Sequence, residues 1–131
     1  MRRDDWPAYA RSVLRIVAGL LFALHGFQKV FGMFGGFGGH GAPARMWSEF
    51  WVAGLLETPG GVLIALGLFT RPVAFLLCGE MAVAYFHAHF PHGFWPIKNG
   101  GELAVLYCFI YLYLFAAGPG PISLDRALRR K

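Results

Sequence analysis

Four apolar stretches, each close to the length that crosses a membrane, divide this chain of 131 residues. A membrane-spanning helix needs about 20 mainly apolar residues. Because only 15% of the residues are charged and 56% are hydrophobic, lipid is the expected solvent for most of the surface. The sequence predicts an all-α fold: one integral membrane domain over residues 1–131, a four-helix bundle that ends in a short cytoplasmic tail. The predicted spans are roughly residues 13–34, 50–69, 72–90 and 103–117, and the tail is 118–131.

The fourth stretch is the shortest of the four. Its length as a helix is about 22 Å at 1.5 Å per residue, less than the hydrocarbon thickness. We therefore expect it to borrow residues 97–102 to reach across the membrane.

The basic residues outside the apolar stretches are unevenly distributed. Basic loops stay on the cytoplasmic side of a membrane. The distribution predicts that both termini are cytoplasmic and that loops 35–49 and 91–101 face outward. With a net charge of +5, the basic ends are expected to contact anionic lipid headgroups and not nucleic acid. Eight basic residues fall at the termini and the middle turn, against two in the other loops: Arg2, Arg3, Arg11, Arg71, Arg126, Arg129, Arg130 and Lys131 against Arg45 and Lys98.

Five ionisable residues lie within or at the edge of the apolar stretches. A charge in hydrocarbon costs from about 2.5 to over 10 kcal/mol, so such residues persist where they pair or line a polar cavity. These positions are therefore the first place to look for function. They are Arg15, Lys29, Glu57, Glu80 and Glu102.

One face of the first predicted helix carries all of its ionisable groups. Arg15, Ala18, Phe22, His25 and Lys29 follow one another at spacings of three or four residues, which places them on one side of a helix. We expect this face to point into the bundle. Arg15, nearer the cytoplasmic end, is predicted to be a structural charge that reaches lipid headgroups or a backbone carbonyl.

The depths of the remaining groups predict a polar pocket in the outer half of the bundle. Lys29 is expected to pair with Glu57 or Glu102, and this pair alone could serve to fix helix register. Alternatively, the pocket binds a quinone headgroup, an anion or protons. Three carboxylates near one lysine suggest that Glu80 carries a proton. The pocket candidates are His25, Lys29, Glu57, Glu80 and Glu102.

Histidines and cysteines give only weak indications of a metal or redox centre. His87, His89 and His92 are the candidates for a metal, but alternate positions on a helix do not converge and the segment has no acidic residue. No metal site is predicted. Cys78 and Cys108 have no CxxC partner, so we interpret them as packing residues and expect no disulfide, zinc or iron–sulfur cluster.

Glycine and proline mark three further local features. The glycine-rich segment 32–43 suits either a mobile lid or an interfacial linker. Pro59 interrupts the second span, and Gly61 with Ala65 forms a small-residue face that lets helices approach closely. Ser123 is predicted to cap a short helix in the tail.

Several segments together resemble the DoxX family of four-span bacterial membrane proteins. The resemblance extends over nearly the whole chain. The matching segments are LRIVAGLLFALHGFQKVFG, which holds Arg15, Gly26 and Lys29, ETPGGVLIALGLFTRPVA from Glu57 to Ala74, EMAVAYFHAH, HGFWPIKNGGELAVL and the tail segment GPGPISLD.

The resemblance implies a bacterial inner-membrane protein that works with an oxidoreductase system. Relatives of this family include small subunits of a thiosulfate:quinone oxidoreductase. We therefore expect an accessory or quinone-associated subunit with a protein partner, and self-association is a further option. The alternatives are an enzyme subunit that oxidises thiosulfate and reduces quinone, and a small proton-coupled transporter or channel. No cofactor is evident in the sequence, so whether the chain is itself an enzyme stays open.

Overall fold

The computed structural model describes residues 2–129, and within that range it is helical and contains no strand. Three helical segments are long and apolar enough to cross a membrane, and the helix that begins at Glu102 is apolar but shorter. The predicted all-α membrane fold is confirmed. The helices are α1 (Trp6–Phe31), α2 (Glu49–Leu66), α3 (Thr70–Ala84), α4 (Pro96–Asn99), α5 (Glu102–Ala117) and α6 (Leu124–Arg129).

Two differences between the helix boundaries and the predicted spans have a clear local cause. Helix α1 begins at Trp6 rather than near residue 13, because Pro7 in the first turn needs no hydrogen-bond acceptor and suits a helix start. Of the residues 97–102 predicted to extend it, helix α5 includes only Glu102. Gly100 adopts a left-handed conformation, with φ of 76°, which ends α4 and separates it from α5.

The chain forms two compact units. The first contains the chain up to Phe69 and the segment from Pro119 onward, and therefore α1, α2 and α6. The second is Thr70–Gly118, with α3, α4 and α5. The second unit is thus an insertion in the sequence of the first.

Close approach of α1 and α2 forms the core of the first unit. A Cβ atom on Gly19 would lie 2.5 Å from the Ala65 nitrogen, and one on Gly61 would lie 2.5 Å from the Ala23 nitrogen. Such distances are too short for any larger residue, so glycine is required on both helices. The predicted small-residue contact at Gly61 and Ala65 is confirmed, with Pro59 inside the same helix.

The glycine-rich segment after α1 folds back on itself. Phe37 N–H donates to the Ala42 carbonyl at 2.9 Å, and Ala44 N–H donates to the Lys29 carbonyl at 2.7 Å. The left-handed backbone of Gly36, with φ of 78°, permits this reversal. A lid function for this segment stays a prediction.

The tail is hydrogen-bonded to the end of α2. Asp125 N–H donates to the Gly67 carbonyl at 2.9 Å, and Phe69 N–H donates to Asp125 Oδ1 at 2.8 Å. Ser123 Oγ accepts from Arg126 N–H at 3.2 Å, which confirms the predicted cap of α6. The cytoplasmic location of the termini stays a prediction, and Arg130 and Lys131 lie outside the described residues.

The second unit is built on the packing of α3 against α5. Helix α3 continues through a π-helical turn over Tyr85–His89, which carries it close to the predicted end of its span. Its buried residues pack with those of α5 to form the core of this unit. They are Ala74, Leu77 and Met81 on α3, and Ala104, Tyr107, Tyr111 and Leu114 on α5.

Candidate functional site

Arg15 is held by backbone carbonyls and is almost fully buried, with 1% of its surface exposed. Its Nε donates to the Ile64 carbonyl at 2.8 Å, and Nη2 donates to the carbonyls of Ile122 at 2.7 Å and Ala65 at 3.3 Å. Nη1 donates to the Pro119 carbonyl. The last carbonyls of a helix lack partners and carry partial negative charge, so the end of α2 suits a cation. Of the two contacts predicted for Arg15, the structure shows the backbone carbonyls.

Lys29 and Glu57 form an ion pair between α1 and α2. Lys29 Nζ lies 2.7 Å from each carboxylate oxygen of Glu57. Glu57 is 1% exposed, and the Lys29 side chain is 17% exposed. Gly54, one turn before Glu57, makes room for the lysine, because a Cβ there would lie 2.8 Å from Lys29 Cβ. Of the two carboxylates predicted as partners, Glu57 is the one that binds Lys29.

The other candidates for the polar pocket are distributed over both units. His25 is half-buried on α1, one turn before Lys29. Glu80 is half-buried on α3, and Glu102 is exposed in the first turn of α5, where a carboxylate stabilises the helix start. The structure thus brings Lys29 and Glu57 together in the first unit and places Glu80 and Glu102 in the second. A single pocket that gathers all five stays a prediction.

The histidines near the end of α3 lie in different surroundings. His87 and His92 are exposed, whereas His89 is half-buried with Nδ1 3.2 Å from the Asn99 carbonyl oxygen. Within residues 2–129, no group of three His, Cys, Asp or Glu side chains could hold a metal ion. The His89 contact links the end of the π-helical turn to Asn99 in the loop.

Asn99 joins the loop after α3 to the start of α5. It is 8% exposed, and its Nδ2 donates to the Gly93 carbonyl at 2.9 Å and to the Tyr85 hydroxyl at 3.2 Å. Its Oδ1 accepts from Gly101 N–H at 2.8 Å, and the Tyr85 hydroxyl donates to the Phe94 carbonyl at 2.9 Å. These bonds fix the tyrosine ring at the end of α3.

A half-open apolar cavity of about 240 Å³ lies beside this ring in the second unit. Side chains from α3, its π-helical turn and α5 line it, so both long apolar segments of this unit contribute. The lining includes Met81, Tyr85, Phe86, Val105, Cys108 and Phe109.

Cys108 in this lining faces Cys78 on α3. The two Sγ atoms are 3.7 Å apart, and both cysteines are free thiols. Both side chains are half-buried. From the sequence we interpret these cysteines as separate packing residues, but in the structure they form a close pair.

Comparison with known proteins shows to which family this chain belongs. The family model described as DoxX matches residues 10–90. This chain belongs to the DoxX family. No solved structure matches it.

Relatives of this DoxX protein come from several bacteria. It is 43% identical to an uncharacterized protein of Haemophilus influenzae (strain Rd), over 98% of this chain and 97% of the relative. It is 32% identical to the inner membrane protein YphA of Escherichia coli K12, over 96% and 97% of the two chains. It is 40% identical to a Bacillus subtilis (strain 168) protein named "Putative oxidoreductase CatD", over 86% and 82%. The DoxX protein is thus a multi-pass bacterial inner-membrane protein.

Sequence reasoning missed two features of the second unit of this DoxX protein. Asn99 precedes Gly100 and Gly101, and such a sequence is typical of a turn, so the turn at Asn99 could have been predicted from the sequence. The Cys78–Cys108 pair could not, because residues thirty positions apart on separate helices are brought together only by tertiary packing.

Proposed function

We propose that this DoxX protein is an accessory, quinone-associated subunit of a membrane oxidoreductase system. The observation that carries the proposal is the aromatic-lined cavity of the second unit. The printed name of the Bacillus subtilis relative, an oxidoreductase, supports the same functional class.

The size of the cavity suits one quinone ring. An apolar cavity of about 150 Å³ is known to bind benzene, and this one measures about 240 Å³. Tyr85, Phe86 and Phe109 offer ring faces and edges, and aromatic pairs gain about 0.5–1.5 kcal/mol beyond the burial of their area. A substituted six-membered ring therefore has the space and the apolar contacts that its ring faces need.

The position of the cavity suits a ligand dissolved in lipid. Its walls come from segments that are apolar enough to cross a membrane, Thr70–His92 and Glu102–Ala117. A quinone with a long apolar tail is dissolved in the same hydrocarbon layer, and most of its tail could stay there. With the orientation predicted from the basic residues, the cavity lies in the outer half of the membrane.

The way the ionisable groups of the first unit are used supports the accessory role. Glu57 binds Lys29 with both oxygens, and Arg15 donates to backbone carbonyls. Such contacts hold helices in register. We therefore assign substrate oxidation to a partner protein and quinone contact to this chain.

Photolabelling tests the quinone site. The full-length protein in detergent is irradiated with an azido-labelled ubiquinone analogue, and labelled peptides are mapped by mass spectrometry. Label is expected on α3 and α5. Val105→Trp should fill the cavity and abolish labelling, whereas Leu106→Trp, at the exposed neighbouring position, should leave it unchanged.

Two outcomes would contradict this function. Equal labelling of the two tryptophan variants would show that the cavity is not the site. Repeated turnover of thiosulfate and quinone by the isolated chain would replace the accessory role with that of an enzyme.

A further inference from the structure

We propose that Cys78 and Cys108 form a redox-active dithiol that reduces a quinone bound in the neighbouring cavity. This inference rests on the proposed quinone site and names the groups that would exchange electrons with it. It assigns chemistry to two side chains that otherwise serve only to pack α3 against α5.

The distance between the two sulfur atoms is the first argument. The Sγ atoms are 3.7 Å apart, close to van der Waals contact, and a disulfide requires about 2.05 Å. The two cysteines lie on helices that already pack against each other in the core of the second unit. Small side-chain rotations could therefore bring the sulfurs together without separating the helices.

The position of the pair relative to the cavity is the second argument. Cys108 is part of the cavity lining, while Cys78 contacts Cys108 from α3. A ring seated between Phe86 and Phe109 would contact the Cys108 sulfur directly. The second thiol would then stand within reach to close the disulfide.

The reaction balances without a further cofactor. Two S–H bonds break and one S–S bond forms, which releases two electrons and two protons. The two carbonyl oxygens of the quinone take up the electrons and protons and become the hydroxyls of a quinol. A thiol reductant returns the disulfide to two thiols by thiol–disulfide exchange.

Thiol counting after exposure to quinone tests the inference, because the chain has two cysteines in all. The full-length protein is reduced with dithiothreitol, separated from it without oxygen and mixed with decylubiquinone. Quinol formation is followed by absorbance, and thiols are counted by alkylation and mass spectrometry. We expect one quinol per chain and loss of both alkylation sites, restored by dithiothreitol.

Matched variants assign the electrons to the pair and the quinone to the cavity. Cys78→Ser and Cys108→Ser should each reduce quinol formation to the background. Val105→Trp should also stop oxidation by quinone, while the small-molecule oxidant diamide should still close its disulfide. Leu106→Trp should react like the unchanged protein.

The outcomes separate this inference from the function on which it rests. If the quinone analogue labels the cavity but both thiols stay free, the dithiol inference is overturned and the quinone site stands. If diamide closes the disulfide while quinone neither labels nor oxidises the protein, the proposed function fails and the inference fails with it. A disulfide between two chains, seen as a dimer on a non-reducing gel, would also overturn it.

Discussion

The two units of this protein use their interior side chains in opposite ways. In the first, a buried arginine and a buried ion pair connect helices and tail by strong polar contacts. In the second, α3 and α5 pack through aromatic and aliphatic side chains that leave an apolar cavity beside two thiols.

The difference suggests that the two units have different roles. Burying a charge is costly unless it is fully paired, so the charges of the first unit are best used for holding one arrangement of the chain. An apolar cavity costs dispersion energy, which a bound ligand can restore. We therefore interpret the first unit as the scaffold and the second as the binding unit, and the following changes test that contrast.

Arg15→Met should cause the largest loss of stability. The change removes the donor for the carbonyls of Ile64, Ala65, Pro119 and Ile122, and an unpaired buried carbonyl costs about 1–3 kcal/mol. We expect a loss of about 4–6 kcal/mol in the free energy of unfolding, measured by titration with denaturing detergent. Arg3→Met, at an exposed position, is the control, and equal stability of the two variants would contradict a scaffold built on Arg15.

Lys29→Met should cost about 3–5 kcal/mol, because it leaves the Glu57 carboxylate buried without a cation. The double variant Lys29→Met with Glu57→Gln should recover much of that loss, as expected for directly coupled residues. The double variant with Glu102→Gln should show no such recovery. Thermal unfolding in detergent measures all three, and strict additivity in both double variants would show that no pair is formed.

Glycine substitutions compare the packing of the two units directly. Gly61→Ala should destabilise the protein by about 1–3 kcal/mol, since the new Cβ would lie 2.5 Å from the Ala23 nitrogen. Gly79→Ala on α3 places its new Cβ more than 4 Å from every atom beyond the neighbouring turns of its own helix, and should stabilise that helix by about 0.5–1 kcal/mol. Loss of stability of the same size in both variants would remove the contrast between the units. The same unfolding assay gives both values.

Glu80→Gln should have the smallest effect. If Glu80 carries a proton, as the sequence predicts, the amide imitates the neutral acid and the free energy of unfolding should change by less than about 0.5 kcal/mol. Glu57→Gln is the matched comparison, because it breaks a charged pair and should cost far more. A large loss for Glu80→Gln would show that this carboxylate is ionised and paired.

The sequence predicted contacts that follow from local pattern and from the cost of burying charge. The apolar stretches gave the helices, the spacing of Arg15 and Lys29 placed both on one face of α1, and the few available carboxylates limited the partner of Lys29 to two. Gly61 and Ala65 predicted a close helix contact for the same kind of reason. Each of these predictions rests either on the spacing of residues along a helix or on the cost of burying a charge, and both can be read from the sequence.

The cavity and the thiol pair could not be predicted in this way. In a membrane protein, apolar residues face both lipid and interior, so hydrophobic periodicity does not distinguish the cavity lining from the lipid-facing surface. Helix α5 shows this most clearly, since exposed Leu106 and cavity-lining Val105 are adjacent and equally apolar. The contact between Cys78 and Cys108 depends on the register of two helices, and no local sequence pattern predicts that register.

The contact between Arg15 and the tail has a consequence for biogenesis. The Pro119 carbonyl is 104 residues further along the chain than the guanidinium that it accepts from, and the Ile122 carbonyl is 107 residues further. During synthesis, α1 and α2 enter the membrane with Arg15 still lacking these two acceptors, and all of Thr70–Gly118 must follow before they emerge. The first unit to be translated is therefore the last to be completed. A chain that stops before residue 119 would keep Arg15 without its Pro119 and Ile122 acceptors.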